Sequence, residues 1–437
     1  MKKIEEYISC HRQEIIKNLC SFVRIPSIAC QDGSGTPYGA ECAKALDFCK
    51  ELAESKNLLT RDFDYHCLEI SLEKPRPNQK RLVIAAHADV VDVVEEDHIY
   101  PPFGGQIVGD YIVGRGAVDD KGPLMAALYA MAFFAENHIR LNHDIRLVAG
   151  SNEEMGMDDI EYYLAQEGQP DLGLAVDDDF PCVRGEKGLI HFCLSAEKSS
   201  ELEQISTWGP NQRLIHNHAK ITVCGQTKEL VKNGEENFLA ELIKDFSLLR
   251  SQKAQQELLR IAEDKTGECC KIALQDNLSG SGRLNLYSIQ LCENQVKFYF
   301  DIRVPVTFKT KDVAARLEKY FADSFFHYEL CKNSPGYYVD DQDEFMNLLT
   351  DLYNDVTGTQ ERPYVMSGCT YARLFDHGMG FGSGNPHEVK PFPKGHGGVH
   401  GADEAHNIDV LLYAVKMDIL AIQAIDAYWT KQEQKGR

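Results

Sequence analysis

Five short stretches of the chain carry side chains that can do chemistry. His87-Ala88-Asp89 closes the apolar run Leu82–Ala86. Asp119 and Asp120 lie in the segment Gly114–Gly122 (GRGAVDDKG). Glu153 and Glu154 are adjacent within Ser151–Gly156 (SNEEMG). Asp177, Asp178 and Asp179 follow the apolar run Leu172–Val176, and His396 and His400 sit in the glycine-rich segment Gly395–Glu404. Imidazoles combined with several carboxylates suit Zn2+, Mn2+ or Co2+ rather than a thiolate site. A carboxylate such as Asp119 has two oxygens and can bridge two cations. Two adjacent glutamates can divide the work between ligand and proton shuttle, because each task needs its own environment and pKa. Each stretch alone also has a plain structural reading. His87 can be a hydrogen-bonded strand-end residue, Asp120 a helix cap, and Glu153-Glu154 a solvated pair. The three aspartates can be an acidic turn, and Gly395–Glu404 a flexible loop.

What favours the chemical reading is the kind of element that presents these residues. Leu82–Ala86, Ile145–Ala149 and Leu172–Val176 are short apolar runs of the type buried in a mostly parallel sheet. Period-two alternation points His87 and Asp89 the same way, so Asp89 can orient the imidazole. Amphipathic helices are expected over 4–24, 40–52 and 157–167. Phe63–Leu72 reads as a strand, Ile107–Val113 as a hairpin turning at Gly109-Asp110, and Pro123 as the first residue of a buried helix. Strands alternating with helices imply an α/β domain with a mostly parallel sheet flanked by helices. Three of the five stretches then fall at the carboxyl ends of its strands, where such sheets bind ligands.

The pattern changes after Gly185–Gly188. Residues 190–224 read as β-rich and 236–262 as helical. Two strands follow over 283–304, with Val296, Phe298, Phe300 and Ile302 on one face, and a helix over 311–323. This is an inserted α+β domain. The expected division is 1–186 with 336–437 for the domain holding the metal centre, and 187–335 for the insert.

Composition narrows the function class. A net charge of −21 argues against nucleic acid or an anionic membrane as partner. No apolar run approaches a membrane span, and the N-terminus lacks the apolar core of a signal peptide. The 14 cysteines show no Cys-x-x-Cys spacing and fit a reducing, cytoplasmic setting. The adjacent Cys269-Cys270 pair is expected as two thiols. Neither a phosphate-binding glycine loop nor a Gly-x-Ser-x-Gly elbow is present.

With these residues in place the chain resembles the M20 metallopeptidases, and within them the PepV-like (Sapep-type) dipeptidases. The matching stretches are Ser21–Ser27 (SFVRIPS), Ala86–Val91 (AHADVV), Gly114–Pro123 (GRGAVDDKGP), Ser151–Gly156 (SNEEMG), Asp177–Pro181 (DDDFP) with Gly185–Gly188 (GEKG), Asp301–Val306 (DIRVPV), Gly368–Arg373 (GCTYAR) and His400–Glu404 (HGADE). The resemblance implies two divalent metal ions, with Zn2+ expected and Mn2+ or Co2+ as alternatives. His87 and Asp177 would hold one, Glu154 and His400 the other, and Asp119 would bridge them. Glu153 would be the general base acting on a metal-bridging water, and Asp89 would orient His87. Arg303 would reach from the inserted lid domain to the substrate carboxylate.

The likeness thins in that lid. Family members carry a lid histidine credited with stabilising the oxyanion, whereas here the counterpart is Gly225–Glu229 (GQTKE), with Asn237 further on. Glu229 would repel an oxyanion, which leaves His216, His218 or Lys228 as substitutes. Asn211–Leu214 replaces a second family stretch, Asn-x-Val-Pro. The expected function is a monomeric, cytoplasmic metallodipeptidase acting on small peptides with a free carboxylate. The alternatives are hydrolysis of N-acyl amino acids, or metal binding with little catalysis.

Overall fold

The protein is described by a computed structural model covering residues 1–74, 76, 78–209, 216–231 and 238–435. The chain forms two compact units. The first comprises Met1–Arg184, Val339–Tyr364 and Cys369–Arg437; the second comprises Gly185–Tyr338 and Val365–Gly368. The short stretch Val365–Gly368 joins the second unit because its backbone is bonded there. Lys187 N donates to Met366 O at 3.1 Å, and Arg303 Nη1 to Ser367 O at 2.6 Å.

The first unit is the expected α/β domain. Strands Asp144–Gly150, Arg81–His87, Leu172–Ala175 and Gly378–Gly380 run parallel, in that order across the sheet. Both faces of the central strand are covered. Leu82, Ile84 and Ala86 enter one core with the helices Lys2–Val23, Lys121–Glu136 and Ile408–Lys435. Val83 and Ala85 enter another with Ile160 and Tyr163 of the helix Asp158–Glu167. This explains the near-continuous apolar run, since both alternating sets are buried. Register carries the functional consequence. His87 pairs with Gly150 and Ala85 with Ala175, so the chain leaves three neighbouring strands at one level.

Three sequence expectations need correction. Phe63–Leu72 is not one strand but parts of two, Leu59–Phe63 and Cys67–Ser71, joined by a tight turn. Asp64 and Tyr65 take left-handed φ of 54° and 57°, and the Asp62 carboxylate accepts Tyr65 N at 2.9 Å. Short polar side chains suit such turns. The central helix starts at Lys121, two residues before Pro123. Proline is tolerated there because first-turn N–H groups lack intrahelical partners. The helical stretch 236–262 contains two helices, Phe238–Asp245 and Gln252–Glu263, and Ser251 caps the second by accepting Ala254 N. Among the described residues no helix is long and apolar enough to cross a membrane. None of the 14 cysteines forms a disulfide.

The second unit is an antiparallel sheet with helices packed on one face. Its strand order is Gln226–Val231, His218–Val223, Leu202–Trp208, Arg283–Cys292, Gln295–Val304, Gly188–Glu197 and His327–Ser334. Val296, Phe298, Phe300 and Ile302 are buried under the helices, and Lys297, Tyr299, Asp301 and Arg303 alternate with them on the opposite face.

Candidate metal centre

Strand register, loop and helix start bring the expected donors of the first unit together. His87 ends its strand fully buried. Its Nδ1 bonds to the carbonyl oxygen of Asp89 at 3.0 Å, which directs Nε2 the other way. Among the described residues that Nε2 has no hydrogen-bond partner, yet it lies 2.9 Å from Asp119 Oδ1 and 3.6 Å from Asp177 Oδ2. On the other side of Asp119, Oδ2 is 2.8 Å from His400 Nε2, and the same nitrogen is 3.0 Å from Glu154 Oε1. Two donor groups result, His87–Asp119–Asp177 and Asp119–Glu154–His400. In each, the ligand atoms all lie within 4.8 Å of one another. Asp119 belongs to both.

The supports of these donors differ from the simplest reading of the sequence. Asp89 touches His87 through its backbone oxygen, with its carboxylate 3.4 Å from Nδ1. That carboxylate also accepts Glu153 N and Glu154 N, each at 3.1 Å. It therefore fixes the glutamate turn as well as the imidazole. Asp120 makes no side-chain cap on its helix; its Oδ2 accepts His87 N at 3.0 Å. His396 is in neither donor group; its Nδ1 bonds to Asp403 Oδ2 at 2.6 Å. Sequence reasoning also missed Asp159, which accepts Ser151 N at 2.7 Å and Asn152 N at 2.8 Å. Tyr371 donates to the same carboxylate. Nothing in the local pattern distinguished it from an ordinary first-turn acid of the helix Asp158–Glu167.

Electrostatics show what this donor set lacks. Burial opposes the charge of Asp119, but His400 and His87 hold its carboxyl well below the usual range. Burial, with Asp119 adjacent, pushes Asp177 up to about 7 and also raises Glu154. Burial disfavours protonation of His87 and His400, yet the surrounding carboxylates push both imidazoles well above their ordinary value. Glu153 is driven well above the carboxylate range by burial, and its Oε1 has no hydrogen-bond partner among the described residues. Acids are competing for too little positive charge, a condition that dications relieve. The donor chemistry fits them: two imidazole nitrogens, three carboxylates and an orphaned buried Nε2 facing oxygens.

The second unit carries the remaining candidates. Arg303 donates from Nε to Asp301 Oδ1 at 3.1 Å, and Asp301 is itself held by His191 Nε2 at 3.2 Å. Glu229 lies on the exposed strand Gln226–Val231 and pairs with Lys220 at 2.8 Å, which lowers its pKa. Lys228 reaches over the Phe246 ring at 5.4 Å. His216 is buried, with Nδ1 bonded to Thr207 Oγ1 at 2.8 Å, and His218 bonds to Asn217 and stacks on Trp208. Asn211–Leu214 and Asn237 lie outside the described residues.

Proteins of Staphylococcus haemolyticus and Staphylococcus epidermidis, each named a "Putative dipeptidase", are 26% identical, covering 87% of this chain and 91% of theirs. Human carnosine dipeptidase 1 shares the fold with a TM-score of 0.69 at 18% identity, and Dug1p of Saccharomyces cerevisiae with 0.67 at 13%; each match covers 98% of both chains. The model of peptidase family M20/M25/M40 matches residues 83–423, a span that includes all five candidate donors. The chain belongs to that family.

Proposed function

We propose that the protein is a dinuclear metal-dependent dipeptidase. The observation that carries this reading is the sharing of Asp119 by two buried donor groups, with the unpartnered Glu153 oxygen beside them. His87 and Asp177 would hold one cation, Glu154 and His400 the other, and Asp119 both. Bound there, two divalent ions, Zn2+ foremost, would polarise the scissile carbonyl and make an attacking water more acidic at neutral pH. Glu153 serves as general base: it takes the proton of that water and later gives it to the leaving amine. A carboxyl raised by burial suits both halves of that task. Asp89 keeps Glu153 in place through its backbone N–H.

The second unit acts as a lid in this proposal, with Arg303 binding the free carboxylate of the substrate. Its guanidinium can form two parallel bonds to such a group. The staphylococcal relatives, named as dipeptidases over nearly their whole length, support a dipeptide substrate. One observation favours the reading of metal binding with little catalysis: the family's lid histidine is replaced by Glu229, already paired with Lys220. A turnover panel separates the readings. The Zn2+- or Mn2+-loaded protein is assayed on dipeptides and on N-acyl amino acids. Hydrolysis of dipeptides is expected. Turnover of N-acyl amino acids alone would replace the substrate, and none on either class would replace the enzyme reading.

A further inference from the structure

The loops bearing Asp119 and His400 are held differently from the strand ends bearing His87 and near Asp177. His400 and Asp403 have left-handed φ of 60° and 49°, in a loop that belongs to no strand. Backbone bonds such as Gly397 N to Ala402 O at 2.9 Å and Gly401 N to Gly398 O at 3.1 Å shape this loop, and side-chain tethers add to them. Strands Tyr111–Val113 and Ala405–Asn407 pair antiparallel, Val113 opposite Ala405, so the adjoining loops run side by side. Gly114 N donates to Glu404 O at 2.8 Å. Across this junction lies an ion pair with almost no solvent access, Arg115 at 1% exposure and Glu404 at 0%.

Every oxygen of that carboxylate is used. Glu404 Oε2 accepts Arg115 Nη1 at 2.6 Å. Oε1 accepts Val118 N at 2.8 Å and Asp119 N at 3.0 Å. The second arm of the guanidinium, Nη2, donates to His400 O at 2.9 Å. Glu404 is thus an acid next to the metal centre that is not a ligand. One planar fork ties the backbone of Asp119, which belongs to both donor groups, to the backbone of His400, which belongs to one. His87 and Asp177 receive nothing from it.

We propose that Arg115 and Glu404 are positioning residues that act more strongly on the cation held by Asp119, Glu154 and His400, two of whose donors they tether, than on the cation held by His87, Asp177 and the shared Asp119. The proposal rests on the two-cation reading above. Lysine in place of Arg115 can still pair with Glu404 but cannot also reach His400 O, since it offers a point charge instead of a fork.

The test is a stepwise Co2+ titration of the metal-stripped full-length protein, followed by calorimetry and by the visible absorption of bound Co2+. The wild type is expected to show two steps. In Glu404→Gln and Arg115→Lys, one step should stay within about three-fold while the other weakens by about 10–100-fold, the range for groups that orient metal ligands. Two unchanged steps, or two that weaken together, overturn the proposal. Fewer than two steps in the wild type overturn instead the two-cation reading beneath it. If Glu404→Gln loses its cooperative unfolding transition, Arg115→Lys alone decides, since it keeps the buried charge pair.

Discussion

Asp119 and Glu229 show how differently the two units treat a carboxylate. Asp119 is enclosed in the first unit, between His87 and His400, with its backbone N–H bonded to Glu404. Glu229 stands in solvent on the outermost strand of the second unit, with Lys220 as its ion-pair partner. A buried acid among imidazoles has had its surroundings built for it, because an unpaired buried charge is costly. An exposed pair contributes little. The difference fits the proposal that the chemistry is concentrated in the first unit, with Glu229, the counterpart that the family resemblance gives for a lid histidine, on exposed surface.

The largest test of this contrast is Asp119→Ala. Removing the shared donor should weaken both cations by more than about 100-fold, beyond the usual cost of losing an outer partner. Retention of both ions in elemental analysis would remove Asp119 as the bridge. Glu153→Gln should keep both metals and lower kcat by about 10²–10⁴-fold, the usual share of a general base; an unchanged kcat would assign the proton transfer elsewhere. Arg303→Ala should raise KM for dipeptides by about 10–100-fold through loss of a charged hydrogen bond, with KM for a C-terminally amidated dipeptide unmoved. An equal effect on both substrates would sink its carboxylate role.

A second histidine–carboxylate pair in the first unit sharpens the point. His377 Nε2 lies 2.8 Å from Asp343, which caps the helix Glu344–Thr357 and is partly solvated. The Asp343 hydrogen bond raises the pKa of His377 above its ordinary 6.5, and that bond together with the cap lowers Asp343 against burial. The folded imidazole pKa exceeds the unfolded one, so the pair's stabilisation is full below about pH 6.5. It is lost as pH rises through the raised value, and at the acid end as pH falls through the depressed Asp343 value. His377→Gln should therefore cost under about 1 kcal/mol near pH 5.5 and less near pH 9 in urea unfolding. A larger loss at pH 9 would contradict the assignment. The smallest effect is expected for Glu229→Ala, which should change kcat/KM by less than about two-fold. A large loss would show that the exposed strand takes part in turnover.

The candidate donors at strand ends were legible in the sequence because strand ends are. An apolar run that stops at His87, another followed by Glu153-Glu154, and a third followed by Asp177 place acids and imidazole at one edge once the strands are parallel. The family motifs supplied Asp119 and His400, which no strand pattern reaches. Strand pattern alone did not separate a candidate ligand from a tether among neighbouring acids; only the family resemblance singled out Asp119. Asp120 beside Asp119, and Asp403 and Glu404 beyond His400, differ only in where long-range pairing aims them. That aim is set by contacts such as Val113 with Ala405, far apart in sequence. Asp89 was read as a support for His87 alone, because its bonds to Glu153 and Glu154 depend on the register of two strands. The turn at Asp64-Tyr65 was hidden for a simpler reason: neither residue is glycine, yet both adopt the left-handed conformation.

The central claim is that one buried carboxylate serves two cations. Elemental analysis of the full chain, saturated with Zn2+ and freed of excess ion, tests it most directly when wild type and Asp119→Ala are compared side by side. The wild type should hold two ions per chain and the variant neither at the same free concentration. One ion in the wild type, or two in the variant, would contradict the claim.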